Sequence, residues 1–212
     1  MLFFHKIYYR VYQSVIYVAS MFLNFREPLL ATGEGSLRKI PALLAQKDFR
    51  SILIVTDDAL FKLGLLDELE DILNSARIKY FIYHDVTPNP TIDQIEDGLM
   101  LYQKQKAQAI IAFGGGSSID CAKGIAARVS NPELPIEKMR GILRVKHRPV
   151  YVMAIPTTAG TGSEATVACV VTNPKTHEKY ALNDPKLIPE VAILEPKLLV
   201  KLPGKITSTT GM

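Results

Sequence analysis

The segment FGGGSSIDCAKG, Phe113 to Gly124, carries three consecutive glycines. Such a run is costly, because each glycine loses more backbone freedom on folding than any other residue. Where it ends a strand and opens a helix, unpaired backbone N–H groups and the helix dipole make an anion site. Bare glycines let a phosphate reach the main chain. Phosphate contact is the function this triplet favours. The pattern is not G-x-G-x-x-G and has no Walker lysine, so neither a Rossmann fingerprint nor a P-loop is present. Ser117-x-x-Asp120 also fits a capping box. Asp120 therefore reads equally as a cap or as a ligand contact. Lys123, one turn into the helix, reads as a solvated side chain.

A second loop, IPTTAGTGSEAT from Ile155 to Thr166, gathers Thr157, Thr158, Thr161 and Ser163 around Gly160 and Gly162. Small hydroxyls donate to phosphate, ribose or amide oxygens without filling a cleft. A plain Ser/Thr-rich turn is the alternative. Asp57 follows the apolar run SILIVT. An acid at a strand end can accept the hydroxyls of an adenosine ribose. It can equally cap the next helix, as can Asp58 beside it.

These loops need a scaffold, and the chain alternates strand and helix from Ala31 onward. SILIVT (51–56), KYFIYH (79–84), AQAIIAFG (107–114), PVYVMAIPTT (149–158) and EVAILEP (190–196) read as strands. The later part of FKLGLLDELEDILNSA, through Leu65, Leu66, Leu69, Ile72 and Leu73, has helical spacing, and IDQIEDGLMLYQKQK and a segment from about Ile119 to Val129 read as helices. VTPNPT is a loop, since two prolines and an asparagine oppose regular structure. ATVACVVTNPKTHEKYALN reads as a hairpin around its N-P-K-T turn. Repeated β-α-β units predict an α/β fold, a mostly parallel sheet flanked by helices. Ligands on such sheets sit at the carboxyl ends of strands, where all three unusual loops fall.

The 212 residues are 48% hydrophobic, enough for a sizeable core, and the net charge of +4 is spread without long like-charge runs. The sequence argues against a nucleic-acid footprint. Cys121 and Cys169 form no C-x-x-C pair, and both lie in apolar runs. They read as core residues of a cytoplasmic protein. The first 25 residues are apolar and aromatic, interrupted by His5, Lys6 and Arg10. Helical spacing of Phe4, Tyr8, Val11, Val15, Val18 and Phe22 predicts an amphipathic helix over 1–26. Packing on the protein or on a second copy is favoured for it over a membrane surface, because its polar face is poor in Lys and Arg.

Together, GGGSSIDCAKG, IPTTAGTGSEAT, PNPT at 88–91 and EVAILEPKLLVKLPGKITSTTGM resemble the iron-containing, group III alcohol dehydrogenases. The resemblance runs over about 27–212 with order and spacing kept. It implies an α/β dinucleotide-binding domain over 27–212, similar to that of dehydroquinate synthase. It implies that Gly115, Gly116 and Ser117 hold a pyrophosphate with Asp120 nearby, and that Asp57 contacts the adenosine ribose. Asn89 would line the cleft, as would Thr157, Thr158, Thr161 and Ser163. Lys179 would reach the nicotinamide ribose, and Leu198 would pack near the adenine. A carboxylate at Asp57 repels a 2′-phosphate, which favours NAD over NADP.

In the family, an all-helical second domain binds iron or zinc, and its first ligand, an aspartate, follows the T-G-M sequence. The expectation is therefore a cofactor-binding part of an alcohol dehydrogenase with no catalytic or metal-ligating residue of its own. His5, His84, His147 and His177 offer no paired ligand spacing. An uncovered cleft would leave an apolar patch that favours a homo-oligomer. A stand-alone nucleotide-binding module or gene remnant is the alternative. Substrate residues would lie mostly in the second domain, leaving the small alcohol or aldehyde unspecified.

Overall fold

The computed structural model describes residues 25–200 together with Tyr9, Arg10, Gln13 and Ser14. Those four N-terminal residues are helical. Of the rest of the amphipathic helix expected over 1–26, Phe25 and Arg26 are not helical, and the other residues lie outside the described residues, as do 201–212. No helix among the described residues is long and apolar enough to cross a membrane.

Six strands form one parallel sheet: β1 (Leu29–Thr32), β2 (Ser51–Val55), β3 (Lys79–Tyr83), β4 (Ala109–Gly114), β6 (Val152–Pro156) and β9 (Val191–Leu194). Their spatial order is β1-β9-β6-β4-β2-β3. Side chains alternate across a strand, so each central strand feeds two cores. Leu53, Val55, Ile110, Ala112, Val152 and Ala154 face one core, and Ile52, Ile54, Ile111, Phe113, Met153 and Ile155 face the other. Burial on both faces explains why these strands read as nearly continuous apolar runs.

On the second face lie α1 (Ile40–Ala45), α2 (Asp58–Lys62) and α3 (Asp67–Ser75), which bring in Ile40, Leu44, Leu60, Leu69 and Leu73. The helical spacing expected in the later part of 61–76 is α3. Gly64 separates it from α2 in a left-handed conformation, φ +65. On the first face lie α4 (Ile92–Lys104) and α5 (Gly116–Ser130). Thr91 and Gln94 form a capping box at the start of α4. The last helix, α6, is the short Pro196–Val200 segment.

The expected hairpin is present as β7 (Ala168–Thr172) and β8 (Lys179–Asn183), paired antiparallel with Cys169 opposite Leu182. With the two-residue β5 (Gly141–Ile142) it forms a second, three-stranded sheet against α5. Cys121 and Cys169 are free, buried thiols within this core. Burial pushes both well above the ordinary thiol range.

Candidate functional site

The loops after β2, β4 and β6 leave the carboxyl ends of three neighbouring strands. They enclose one cavity of about 630 Å³, within the range of small-ligand sites. Asp57 to Leu60 and Leu63 line one end, and Val86, Thr87 and Pro88 another side. Gly115 to Ser118 form the floor, with Thr157, Thr158 and Thr161 opposite. Seven of the residues singled out in the sequence thus share one wall-to-wall site.

The glycines differ in what surrounds them. Gly114 takes φ +149, and a Cβ there would lie 2.8 Å from Ser118 Cβ. This residue makes the turn into α5. A Cβ on Gly115 would meet Thr158 Oγ1 at 3.2 Å, and one on Gly116 would meet Ser163 Oγ at 3.1 Å. These two keep the cradle open beneath the Thr/Ser loop. The N-cap of α5 is Gly115, with no side-chain cap bond, so the N–H groups of its first turn are unclaimed by any capping side chain. The capping box that Ser117 and Asp120 also fit does not form, because the helix begins before Ser117.

Thr157 is buried, and its N–H donates to the Gly114 carbonyl at 3.0 Å, tying the two loops together. Thr158 Oγ1 lies on the cavity wall, is buried, and has no hydrogen-bond partner among the described residues. Asp57 caps α2 by accepting the Leu60 N–H on Oδ1 at 3.0 Å. No bond to Oδ2 is made among the described residues, so capping and ligand contact are compatible. Asp58 instead pairs with Lys62 at 2.6 Å.

Asn89 stands at φ +61 beside the cradle. Its N–H donates to Ser117 Oγ at 3.2 Å, and its Oδ1 accepts from Lys179 Nζ. The Thr172 N–H donates to the Pro90 carbonyl at 2.9 Å, which fixes the hairpin against the same loop. Asn89 and Lys179 are therefore joined to the cradle. Asp120, Ser163 and Leu198 are not among the cavity-lining residues. Leu198 is buried in the core beneath the second sheet face.

Asp120 Oδ2 accepts the Val170 N–H at 3.0 Å. Burial raises its pKa to about 6. Lys123 is 1% exposed, contrary to the solvated side chain expected from composition. Its Nζ donates to the Thr166 carbonyl at 2.8 Å, the Ala168 carbonyl at 2.9 Å and Thr166 Oγ1 at 3.1 Å. Burial lowers the pKa of this ammonium, opposed by the nearby Asp120. Its neighbours are more than forty residues away in sequence, so no local pattern could have revealed them.

No group of three His, Cys, Asp or Glu side chains among the described residues converges as a metal would require. His147 and His177 are exposed. His84 stacks on Phe61, ring centroids 4.5 Å apart, with Asp58 and Asp85 each 3.7 Å from its Nδ1.

The sequence model of the family described as iron-containing alcohol dehydrogenase matches residues 28–196. The chain belongs to that family. It is 34% identical over 180 residues to alcohol dehydrogenase 4 of Schizosaccharomyces pombe, covering 85% of this chain and 42% of that one. An alcohol dehydrogenase structure from Oenococcus oeni superposes with a TM-score of 0.85 at 35% identity, over 90% of this chain and 50% of that one. Sulfoacetaldehyde reductase from Bifidobacterium kashiwanohense, solved in complex with NAD+, gives 0.80 at 27% identity, over 89% and 50%. The chain spans about half the length of the relatives it matches.

Proposed function

We propose that the cleft binds a nicotinamide dinucleotide, NAD rather than NADP, as the cofactor-binding part of an alcohol dehydrogenase. The observation that carries this reading is the cradle itself. Gly115 and Gly116 lie under Thr158 and Ser163 at distances any side chain would close. A buried, unpartnered Thr158 hydroxyl and an uncapped helix start face the same space. A pyrophosphate fits this donor set, with negative charge at the helix N-terminus and small donors around it.

In this reading Gly115, Gly116 and Ser117 hold the pyrophosphate, and Asp57 accepts from the adenosine ribose. That carboxylate disfavours a 2′-phosphate by like-charge repulsion. Asn89 and Lys179, already bonded to each other, close the far side near the second ribose. Thr157, Thr158, Thr161 and Ser163 line the path between the two ends. Asp120 supports the cradle from behind, and Leu198 backs the adenine end through the core. The Bifidobacterium reductase, solved with NAD+, supports the choice of cofactor.

The cofactor supplies hydride exchange between its nicotinamide and an alcohol or carbonyl carbon. The residues present here bind and orient it. The described residues do not fit a metal. We place the protein in the cytoplasm, where two free thiols persist reduced.

The test is a fluorescence titration of NADH into this chain, with Gly116→Val as control. Tight binding by the unmodified chain, lost in the variant, is expected. No binding by the unmodified chain, or equal binding by both, overturns the assignment.

A further inference from the structure

Lys123 plays no part in the cleft wall, yet it is the charged group most completely enclosed by protein near the site. An ammonium has three N–H donors. Three oxygens take them: the carbonyls of Thr166 and Ala168, and Thr166 Oγ1. A buried charge is tolerated only when its donors are satisfied in this way. The arrangement is accordingly specific: a shorter or neutral side chain cannot reproduce it.

The Thr166 hydroxyl accepts from Lys123 and passes the constraint onward. Its own proton points to the Ser163 carbonyl, 3.4 Å away. Ser163 Oγ lies 3.1 Å from where a Gly116 Cβ would stand, so it sits directly over the phosphate cradle. A second strap runs parallel one turn earlier on α5. Asp120 Oδ2 takes the Val170 N–H, and Cys169 Sγ donates to the Asp120 carbonyl at 3.1 Å. One helix thus presents the cradle at its N-terminus and holds the exit of the facing loop from its second turn.

Resting on the dinucleotide reading above, we propose that Lys123 is a positioning residue. By clamping Thr166 and Ala168 it fixes the Thr161–Ser163 arc over Gly116, and so makes the cleft bind a dinucleotide better than a mononucleotide. The adenosine end, built from Asp57, Leu60 and Leu63, shares no bond with this clamp. Loosening the clamp therefore penalises the half of the ligand that runs beyond the cradle and spares the adenosine half.

The experiment is calorimetric titration of NADH and of AMP into the unmodified chain, Lys123→Met, Thr166→Val and Thr166→Ser. Lys123→Met should weaken NADH by about tenfold or more while AMP changes by less than about twofold, as expected for loss of preorganisation at one end. Thr166→Val should weaken NADH by roughly threefold, consistent with one lost hydrogen bond. Thr166→Ser, which keeps the hydroxyl, should bind both ligands as the unmodified chain does. If Lys123→Met does not fold, the Val and Ser pair decides. An unchanged NADH-to-AMP affinity ratio in the folded variants, including equal loss of both ligands, overturns the positioning role. Failure of the unmodified chain to bind either ligand overturns the dinucleotide reading itself and the inference with it.

Discussion

A Cβ at Gly114 would stand 2.5 Å from Ser118 Oγ and 2.8 Å from its Cβ, in a backbone conformation that only glycine adopts readily. Gly114→Ala should therefore cost about 1–3 kcal/mol of folding stability, read as a lower urea midpoint. Gly116 has no such backbone constraint, so Gly116→Val should leave the midpoint nearly unchanged while removing NADH binding. A midpoint in Gly114→Ala equal to that of the unmodified chain would show that the turn into α5 can be made another way. Asp120 gives a prediction in pH. Its folded pKa of about 6 lies above the ordinary value because burial disfavours the carboxylate. The stability tied to this group is then fully present below the unfolded pKa near ~3.9 and is lost as pH rises through about 6. Asp120→Asn keeps an acceptor for the Val170 N–H and does not titrate. Its stability relative to the unmodified chain should rise by on the order of 1–2 kcal/mol from pH 4 to pH 7, a figure reduced for partial exposure. A difference that is flat across that range would contradict the assigned cause.

At the scale of elements, α4 and α5 approach through a reciprocal pair of glycines. A Cβ on Gly98 would fall 2.4 Å from Ile125 Cδ1, and one on Gly124 would fall 2.5 Å from Ile95 Cδ1. Alanine gains about 1 kcal/mol of helix propensity over glycine, but overpacking a closed interior costs roughly 1–3 kcal/mol, so packing wins. Gly98→Ala should be destabilised, and Ile125→Val in the same chain should restore part of the loss, with a favourable coupling of about 1 kcal/mol in urea denaturation. Additive effects of the two changes would show that the helices separate instead. The same elements show what the sequence could reveal. β2, β4 and β6 announce themselves as apolar runs because both their faces are buried, and β3, at the sheet edge and only half-buried, shows instead as an aromatic run, KYFIY. β1 gives no such signal: it has four residues at a sheet edge, and Leu29 and Leu30 are exposed. The start of α5 was legible only approximately. A glycine run looks like an interruption, although here Gly116 is already helical. Lys123 was misread for a different reason. Its type implies a surface, and only the tertiary fold brings Thr166 and Ala168 to it.

For the whole molecule, binding and metal capture make opposite predictions about heat stability. Ligand that binds only the folded chain at about 100 times its Kd adds ~2.7 kcal/mol. In a domain of this size that corresponds to a rise in Tm of roughly 5–10 °C, given about 2–4 °C per kcal/mol. NADH should produce such a shift. Zinc or ferrous iron should not. The described residues bring together no group of three His, Cys, Asp or Glu side chains, and His5 is the one such residue among the rest. A stable site needs three or four convergent ligands with matched geometry. The described residues supply none. Dialysed chain should hold well below one equivalent of iron or zinc by elemental analysis, and added zinc should leave Tm unmoved. Retained stoichiometric metal with a zinc-dependent rise in Tm would mean that ligands converge in a way the described residues do not show. The cleft would then carry an electrophile as well as a cofactor.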